Sequence, residues 1–207
     1  MSTAYKFDTR SQLDTAVELW LSDEAAAFEF YGDINSWDVS GITDFSELFL
    51  DSNSHIGNET GEFNSDISNW DVSNGTDFSY MFGGANNFNQ DISSWDVSNG
   101  SDFSWMFKWA YDFDQNIGDW DVSNGTDFSY MFSGANDFNQ DIGDWDVSSG
   151  TDFTGMFTMA KTFNQDIGDW DVSKANSFAG MFNSATVFNQ DIGNWDVSNG
   201  ENFMGML

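Results

Sequence analysis

The apolar positions of this chain recur with a fixed period. Trp-Asp-Val-Ser stands at Trp37, Trp70, Trp95, Trp120, Trp145, Trp170 and Trp195, and from Trp70 onward the copies are 25 residues apart. The interval from Trp37 to Trp70 is 33 residues, eight more than the period, and the polar, Gly-containing stretch 50–61 is where the excess falls. A period between about 20 and 50 residues marks stacked supersecondary units, none of which buries its apolar face alone.

Within a unit the pattern changes character. In the third copy the apolar or small positions are Ile92, Trp95, Val97, Gly100, Phe103, Met106, Phe107, Ala110 and Phe113. Ile-x-x-Trp-x-Val ends in alternation, which predicts a short half-buried strand. Phe103, Met106, Phe107 and Ala110 then fall at i, i+3, i+4 and i+7, which predicts one face of a helix of about two turns. Ser101 before Asp102, and Thr126 before Asp127, are set as caps with an acid at the helix N-terminus. Each unit therefore reads as strand, Ser-Asn-Gly turn, short helix, and a Phe-Asn-Gln-Asp turn into the next strand.

The ends differ from the middle. Residues 9–20 place Leu13, Ala16, Val17 and Trp20, with Leu21 beyond, on one face, and Thr9 with Gln12 forms a capping box. Ser22 opens a second short helix that Gly32 stops. Residues 1–31 are thus expected to be a helical N-terminal cap, and residues 32–207 the repeats, seven strand units with the last one stopping inside its helix. Phe203, Met206 and Leu207 then have no following unit: they finish the core themselves, or the chain is a fragment, or another chain stacks there.

The strand half follows the leucine-rich-repeat template Leu-x-x-Leu-x-Leu-x-x-Asn with aromatic and β-branched substitutes. With its "FNQDI" and "WDVSN" strings repeated, the sequence "FNQDIGDWDVSNGTDFSYMFSGA" resembles the BspA-like leucine-rich-repeat surface proteins, in the branch first described as a mycoplasma lipoprotein repeat. The resemblance spans residues 32–207. It implies a cell-surface or virion-surface solenoid, with members linked to adhesion, and no catalytic residue. Repeats of that family usually carry Val where this chain has Gly75, Gly100, Gly125, Gly150 and Gly200, and Met where it has Phe78, Phe103, Phe128, Phe153 and Phe203. Losing Val while gaining Phe over Met nearly conserves volume, so the pair reads as one compensated exchange in the core.

Composition narrows the partners. Thirty-five Asp and Glu against five Lys and Arg give a net charge of −30, a field that repels nucleic acid and anionic lipid and favours cations, basic proteins or a salty medium. No Cys is present, which removes disulfides, thiolate metal sites and a cysteine nucleophile. No apolar run approaches the roughly 18 residues of a membrane span, and the N-terminus has no apolar h-region of a signal peptide.

Three recurrent groups are candidates for chemistry. Asp38, Asp71, Asp96, Asp121, Asp146, Asp171 and Asp196 lie outward on the expected strand and would align at about 4.8 Å per coil, with Asp119, Asp144 and Asp169 as a second partial row. Asp96, Asp121, Asp146 and Asp171 are the candidates for Ca²⁺; the competing reading is that each Asp accepts amide hydrogen bonds from its own turn. No EF-hand or glycine-rich calcium repeat accompanies them, and no cofactor is otherwise expected. Asn89, Asn139, Asn164 and Asn189, with Gln90, Gln115, Gln140, Gln165 and Gln190, predict amide ladders at the corners. There Asp114-Gln115-Asn116 inverts its neighbours' Asn-Gln-Asp.

The third group breaks the repeat. Before the Met of each expected helix stand Glu47, Tyr80, Trp105, Tyr130, Gly155, Gly180 and Gly205. Three adjacent units thus carry Tyr, Trp, Tyr outward, with Trp109 and Tyr111 nearby, as either a contact surface or rings lying over neighbouring coils. Catalysis has little to build on, since His55 is the sole His and lies in the long connection, and repeated carboxylates lack the one distinct environment a general acid needs. Asn74, Asn99 and Asn124 match the glycosylation sequon but fit an Asn-Gly turn as simply.

These residues together lead to an α/β solenoid: a leucine-rich-repeat-like parallel β-sheet with one short strand and one short helix per 25-residue repeat, under a helical cap. The expected role is a non-catalytic surface or adhesion module, extracellular or on a cell surface in a marine or salty setting. It would bind a protein or glycan through Tyr80, Trp105, Trp109, Tyr111 and Tyr130. The alternative is a structural acidic spacer or a filament unit associating end to end through the C-terminal repeat.

Overall fold

The computed structural model describes residues 4–50 and 63–207. The long connection, including His55, lies outside the described residues. The chain opens with Tyr5–Phe7 lying alongside the first repeat. Phe7 N–H donates to the Asp38 carbonyl and Asp38 N–H to the Tyr5 carbonyl, making a parallel bridge at Lys6 and Asp38. Two helices follow, α1 (Arg10–Ser22) and α2 (Glu24–Tyr31).

Helix α1 starts where Thr9 Oγ1 accepts the Gln12 N–H at 3.3 Å, while Gln12 Oε1 accepts the Asp8 N–H at 2.9 Å. The two side chains satisfy orphan donors reciprocally, one residue out of register from a standard capping box. Leu13, Ala16, Val17 and Trp20 are buried, but Leu21 is 52% exposed. At 100° per residue Leu21 lies about 80° from Leu13, at the rim of the apolar stripe. Asp23, rather than Ser22, caps α2 by accepting the Ala26 N–H, and Gly32 ends it at φ +78°.

The expected sheet of short strands backed by short helices is not what the repeats form. Among the described residues there is no strand beyond isolated bridges and no α-helix after Tyr31. One parallel bridge per repeat runs Asp44, Asp77, Asp102, Asp127, Asp152, Ser177, Asn202, seven residues past the Trp rather than at the Trp-Asp-Val segment. The expected strand fails because its backbone groups are claimed locally. Trp120 N–H donates to Ile117 O and Gly125 N–H to Val122 O, each closing a turn, while Asp121 Oδ1 takes the Ser123 N–H. The Ile92 carbonyl, which a ladder would use, accepts the Trp120 indole N–H at 3.1 Å.

The expected helix fails for a related reason. Met106, Lys108 and Ala110 donate to the carbonyls three residues back, those of Phe103, Trp105 and Phe107. The intervening Phe103, Trp105, Phe107 and Trp109 donate instead to Asp127, Ser129, Met131 and Ser133 of the next repeat. Overlapping turns that advance two residues at a time reproduce the i, i+3, i+4, i+7 apolar spacing without a helix. Trp105 and Trp109 both have φ +62°, and a left-handed residue cannot continue a right-handed helix.

Successive repeats therefore stack through backbone bonds and ring columns. One Phe column runs from Phe45 to Phe203 with centroids 5.3–6.0 Å apart, and a second from Phe49 to Phe182 at 5.6–5.7 Å. A third, from Phe63 to Phe188, leans against the second. The Gly-for-Val, Phe-for-Met exchange is physical: a Cβ on Gly100 or Gly125 would lie 2.4 Å from Cζ of Phe103 or Phe128. The ring tip occupies the space a valine would need.

Candidate functional site

The five repeats from Trp70 to Trp170 each hold two left-handed backbone positions, ten and fourteen residues after the Trp, and the repeats of Trp37 and Trp195 hold the first of them among the described residues. The first is occupied by Glu47, Tyr80, Trp105, Tyr130, Gly155, Gly180 and Gly205, and the second by Gly84, Trp109, Gly134, Met159 and Ser184, all with φ between +55° and +75°. Glycine adopts this conformation freely, whereas a bulky residue there costs roughly 1–2 kcal/mol. The aromatic residues singled out in the sequence thus sit where the turn geometry itself favours glycine.

The structure brings these residues together on one face. Tyr80 and Trp105 stack with centroids 4.9 Å apart and planes at 9°, and Trp105 and Tyr130 follow at 4.2 Å and 28°. Tyr130 leans over Gly155, where a Cβ would fall 2.4 Å from its Cε1, and Trp109 over Gly134, where a Cβ would fall 2.3 Å from Cε3. Trp109 and Tyr111 meet edge to face at 6.0 Å. All five rings are half-buried. Lying over neighbouring coils and lining an accessible face are therefore two descriptions of the same rings. Burial, with the nearby Glu47 charge, raises the pKa of the Tyr80 hydroxyl.

Sequence reasoning missed Lys108. Its ammonium lies 3.7 Å from the Trp105 ring centroid and 5.9 Å from those of Trp109 and Tyr130, a cation–π arrangement, and burial lowers its pKa. The signal was present in the charge pattern. The stretches 78–86, 103–111, 128–136, 153–161 and 178–186 contain no Asp or Glu at all, and Lys108 and Lys161 are their only charges. Stacked in register, they make a strip without carboxylates, bordered at its first-repeat end by Glu47 beside Tyr80.

A second difference separates Trp105 and Trp109 from the other tryptophans. Eight of the ten indoles donate their N–H to a protein oxygen, six of them to the Ile carbonyl of the preceding repeat. Trp105 and Trp109 do not belong to the Trp-Asp-Val-Ser strings, and among the described residues no acceptor meets their N–H groups.

The outward carboxylates are individually engaged. Asp96, Asp121, Asp146 and Asp171 each accept the amide of their own Ser98, Ser123, Ser148 and Ser173 at 3.0 Å. The serine hydroxyl and then the amide hold Asp96, Asp121 and Asp171 below the usual carboxylate range. Among the described residues no three His, Cys, Asp or Glu side chains converge to hold a metal ion. A further acidic row, Asp77, Asp102, Asp127 and Asp152, lies at the bridge positions. Burial, reinforced by Asp102 and Asp152, raises the pKa of Asp127 against the lowering hydrogen bonds of Ser129.

The corner amides form the expected ladder. Asn64 Oδ1 accepts Asn89 N–H and Gln90 Nε2, and Asn89 Oδ1 accepts Asp114 N–H and Gln115 Nε2. Asp114 Oδ1 in turn accepts Asn139 N–H and Gln140 Nε2, and Asn116 Oδ1 takes the Gly118 N–H as Asp141 does for Gly143. The inversion is silent because both positions act only as acceptors. The sequon amides are likewise committed: Nδ2 of Asn74, Asn99 and Asn124 donates to the carbonyls of Ser40, Ser73 and Ser98 in the preceding repeat.

No helix among the described residues is long and apolar enough to cross a membrane. No curated protein and no solved structure matches the chain. A family of Mycoplasma proteins of unknown function, DUF285, matches residues 20–138 and again 115–207, two overlapping stretches that together span the repeats just described. The chain with this 25-residue Trp-Asp-Val-Ser period and its stacked phenylalanine columns belongs to the DUF285 family.

Proposed function

We propose that this chain is a non-catalytic binding module of a BspA-like surface repeat protein, a solenoid at an extracellular or cell surface that contacts a protein or glycan. Its contact surface is the ladder Tyr80–Trp105–Tyr130 with Trp109 and Tyr111. One observation carries the reading: three consecutive repeats place a large aromatic at a left-handed position where the next three place Gly155, Gly180 and Gly205. Strained residues that the fold does not require are characteristic of functional surfaces. The core gives no reason for the exchange, since the glycine repeats keep the same Phe columns.

The glycine repeats also supply the test. Trp105→Gly with Tyr130→Gly installs the geometry of Gly155, so the melting temperature should stay within a few degrees, backbone relief offsetting lost stacking. Binding to host cells or to an arrayed glycan and protein panel should fall at least about tenfold, a loss of ~1.4 kcal/mol. Unchanged binding by that variant rules the ladder out as the contact surface.

A second reading, a structural unit associating end to end, is favoured by one feature. In the 207-residue polypeptide Phe203, Met204 and Leu207 are 41%, 79% and 83% exposed.

A further inference from the structure

We infer that the aromatic face takes a sugar bearing a carboxylate, with Lys108 as the group that receives the charge. This deepens the binding reading above and rests on it. Three features of the face define the ligand.

The first is charge. In a chain with 35 acidic residues, the five stacked stretches that make this face carry none, and they hold Lys108 and Lys161. An anionic group meets repulsion from the carboxylate rows elsewhere and a local cation here. The ion pairs among the described residues are Arg10 with Asp14 and Asp44. Lys108 therefore has no carboxylate partner within 4.0 Å among them, although the chain offers seven acids for every base.

The second is hydrogen-bond polarity. The indole N–H groups of Trp105 and Trp109 are unclaimed by the described residues, and the Lys108 ammonium sits against Trp105 at 3.7 Å. All three are donors, and no ionised acceptor stands among them. Their complement is a row of oxygen atoms with one negative charge. A pyranose carrying a carboxylate supplies both, neutral hydroxyl oxygens for the indoles and a carboxylate for the ammonium. An acidic peptide side chain supplies the charge without the flanking oxygens.

The third is ring placement. Trp105 is held between Tyr80 and Tyr130, so the ladder presents ring edges and donors to a ligand rather than open faces. The centroid spacing of 4.2–4.9 Å along the stack is close to the length of one sugar residue, so a short glycan running along it passes Tyr80, Trp105 and Tyr130 in turn, with the two indole donors and the ammonium gathered at the middle repeat.

The test uses the whole 207-residue chain and three probes: α-1,4-linked trigalacturonate, its carboxyl-reduced galactose counterpart, and triaspartate. Trigalacturonate should shift the Trp105 and Trp109 indole N–H resonances and bind about tenfold or more tighter than the neutral trisaccharide. Lys108→Met, which keeps the stem over the ring, should bring the two sugars to similar affinity at an unchanged melting temperature. Equal affinity of the two sugars for the parent chain overturns the carboxylate assignment and leaves the ladder as a contact surface. Triaspartate binding as tightly as trigalacturonate overturns the sugar assignment in favour of a peptide ligand. No indole shift with any probe overturns the inference outright, while the glycine double variant still decides the contact surface independently.

Discussion

At Gly125 the Cβ of any larger residue would fall 2.4 Å from the tip of the Phe128 ring, and the two positions share one volume. Gly125→Val alone should destabilise by about 1–3 kcal/mol through overpacking. Phe128→Met alone should cost about 1–2 kcal/mol, chiefly in lost stacking. Combined, they should restore stability to within about 1 kcal/mol of the parent in denaturant unfolding; additive losses would separate the two sites. Ala175 stands at the corresponding position before Phe178, whose ring lies 6.0 Å from Phe153 and 5.3 Å from Phe203. Single carboxylates act in opposite senses with pH. Asp96, Asp121 and Asp171 have lowered pKa values, so their contribution is present above the unfolded value of about 3.9 and is lost as acid protonates the folded form. Asp127 has a raised pKa, so its charge disfavours the fold at neutral pH and the penalty fades as pH falls through the folded value. Asp127→Asn keeps the acceptor for Ser129 N–H and should stabilise by about 0.5–1 kcal/mol at pH 7. That gain should vanish near pH 3; an equal gain at both pH values would rule out the charge as its source.

At the scale of the repeat, tryptophans of two kinds are distinguished by what their N–H meets. Trp120→Phe removes the donor to the buried Ile92 carbonyl and should cost about 1–3 kcal/mol in unfolding free energy, whereas Trp105→Phe breaks no bond to a described residue and should cost less than about 1 kcal/mol. Comparable losses would show the indole bond to be dispensable. The period, the buried Trp and Phe positions, the two N-terminal helices and the corner amide ladder were legible because each rests on burial or on acceptor chemistry that side chains declare. The backbone state of the repeats was not. The i, i+3, i+4, i+7 spacing of Phe103, Met106, Phe107 and Ala110 is shared by a helix and by overlapping turns, and apolar period alone cannot separate them. The discriminating sign was Gly155, Gly180 and Gly205 in the column of Tyr80, Trp105 and Tyr130, since glycine recurring at one outward position marks a left-handed backbone rather than a helix. At the candidate site the aromatic rings were visible as a departure from the repeat. Lys108 and the indole donors that no described residue claims were not, because their meaning depends on which carbonyls the neighbouring repeats have already occupied.

For the molecule as a whole, charge and end face compete. A net charge of −30 keeps copies apart at low ionic strength, while Phe203, Met204 and Leu207 offer an apolar surface. Above about 0.15 M salt, where the screening length is ~8 Å, sedimentation should detect association of the 207-residue chain that Phe203→Ser with Leu207→Asp weakens. A strict monomer at high concentration and high salt discards the filament reading.

The alternating amides that tie each repeat to the next also decide how the molecule bears load. Those bonds run along the stacking direction, so a force applied between the two ends acts on one repeat's edge at a time instead of on all repeats at once. The chain should peel rather than shear, yielding at modest force in a series of near-identical events. Each event would release 25 residues, about 80–90 Å of extended chain. Single-molecule pulling reads that increment directly, and a lone all-or-none rupture would mean that the repeats fail as one body.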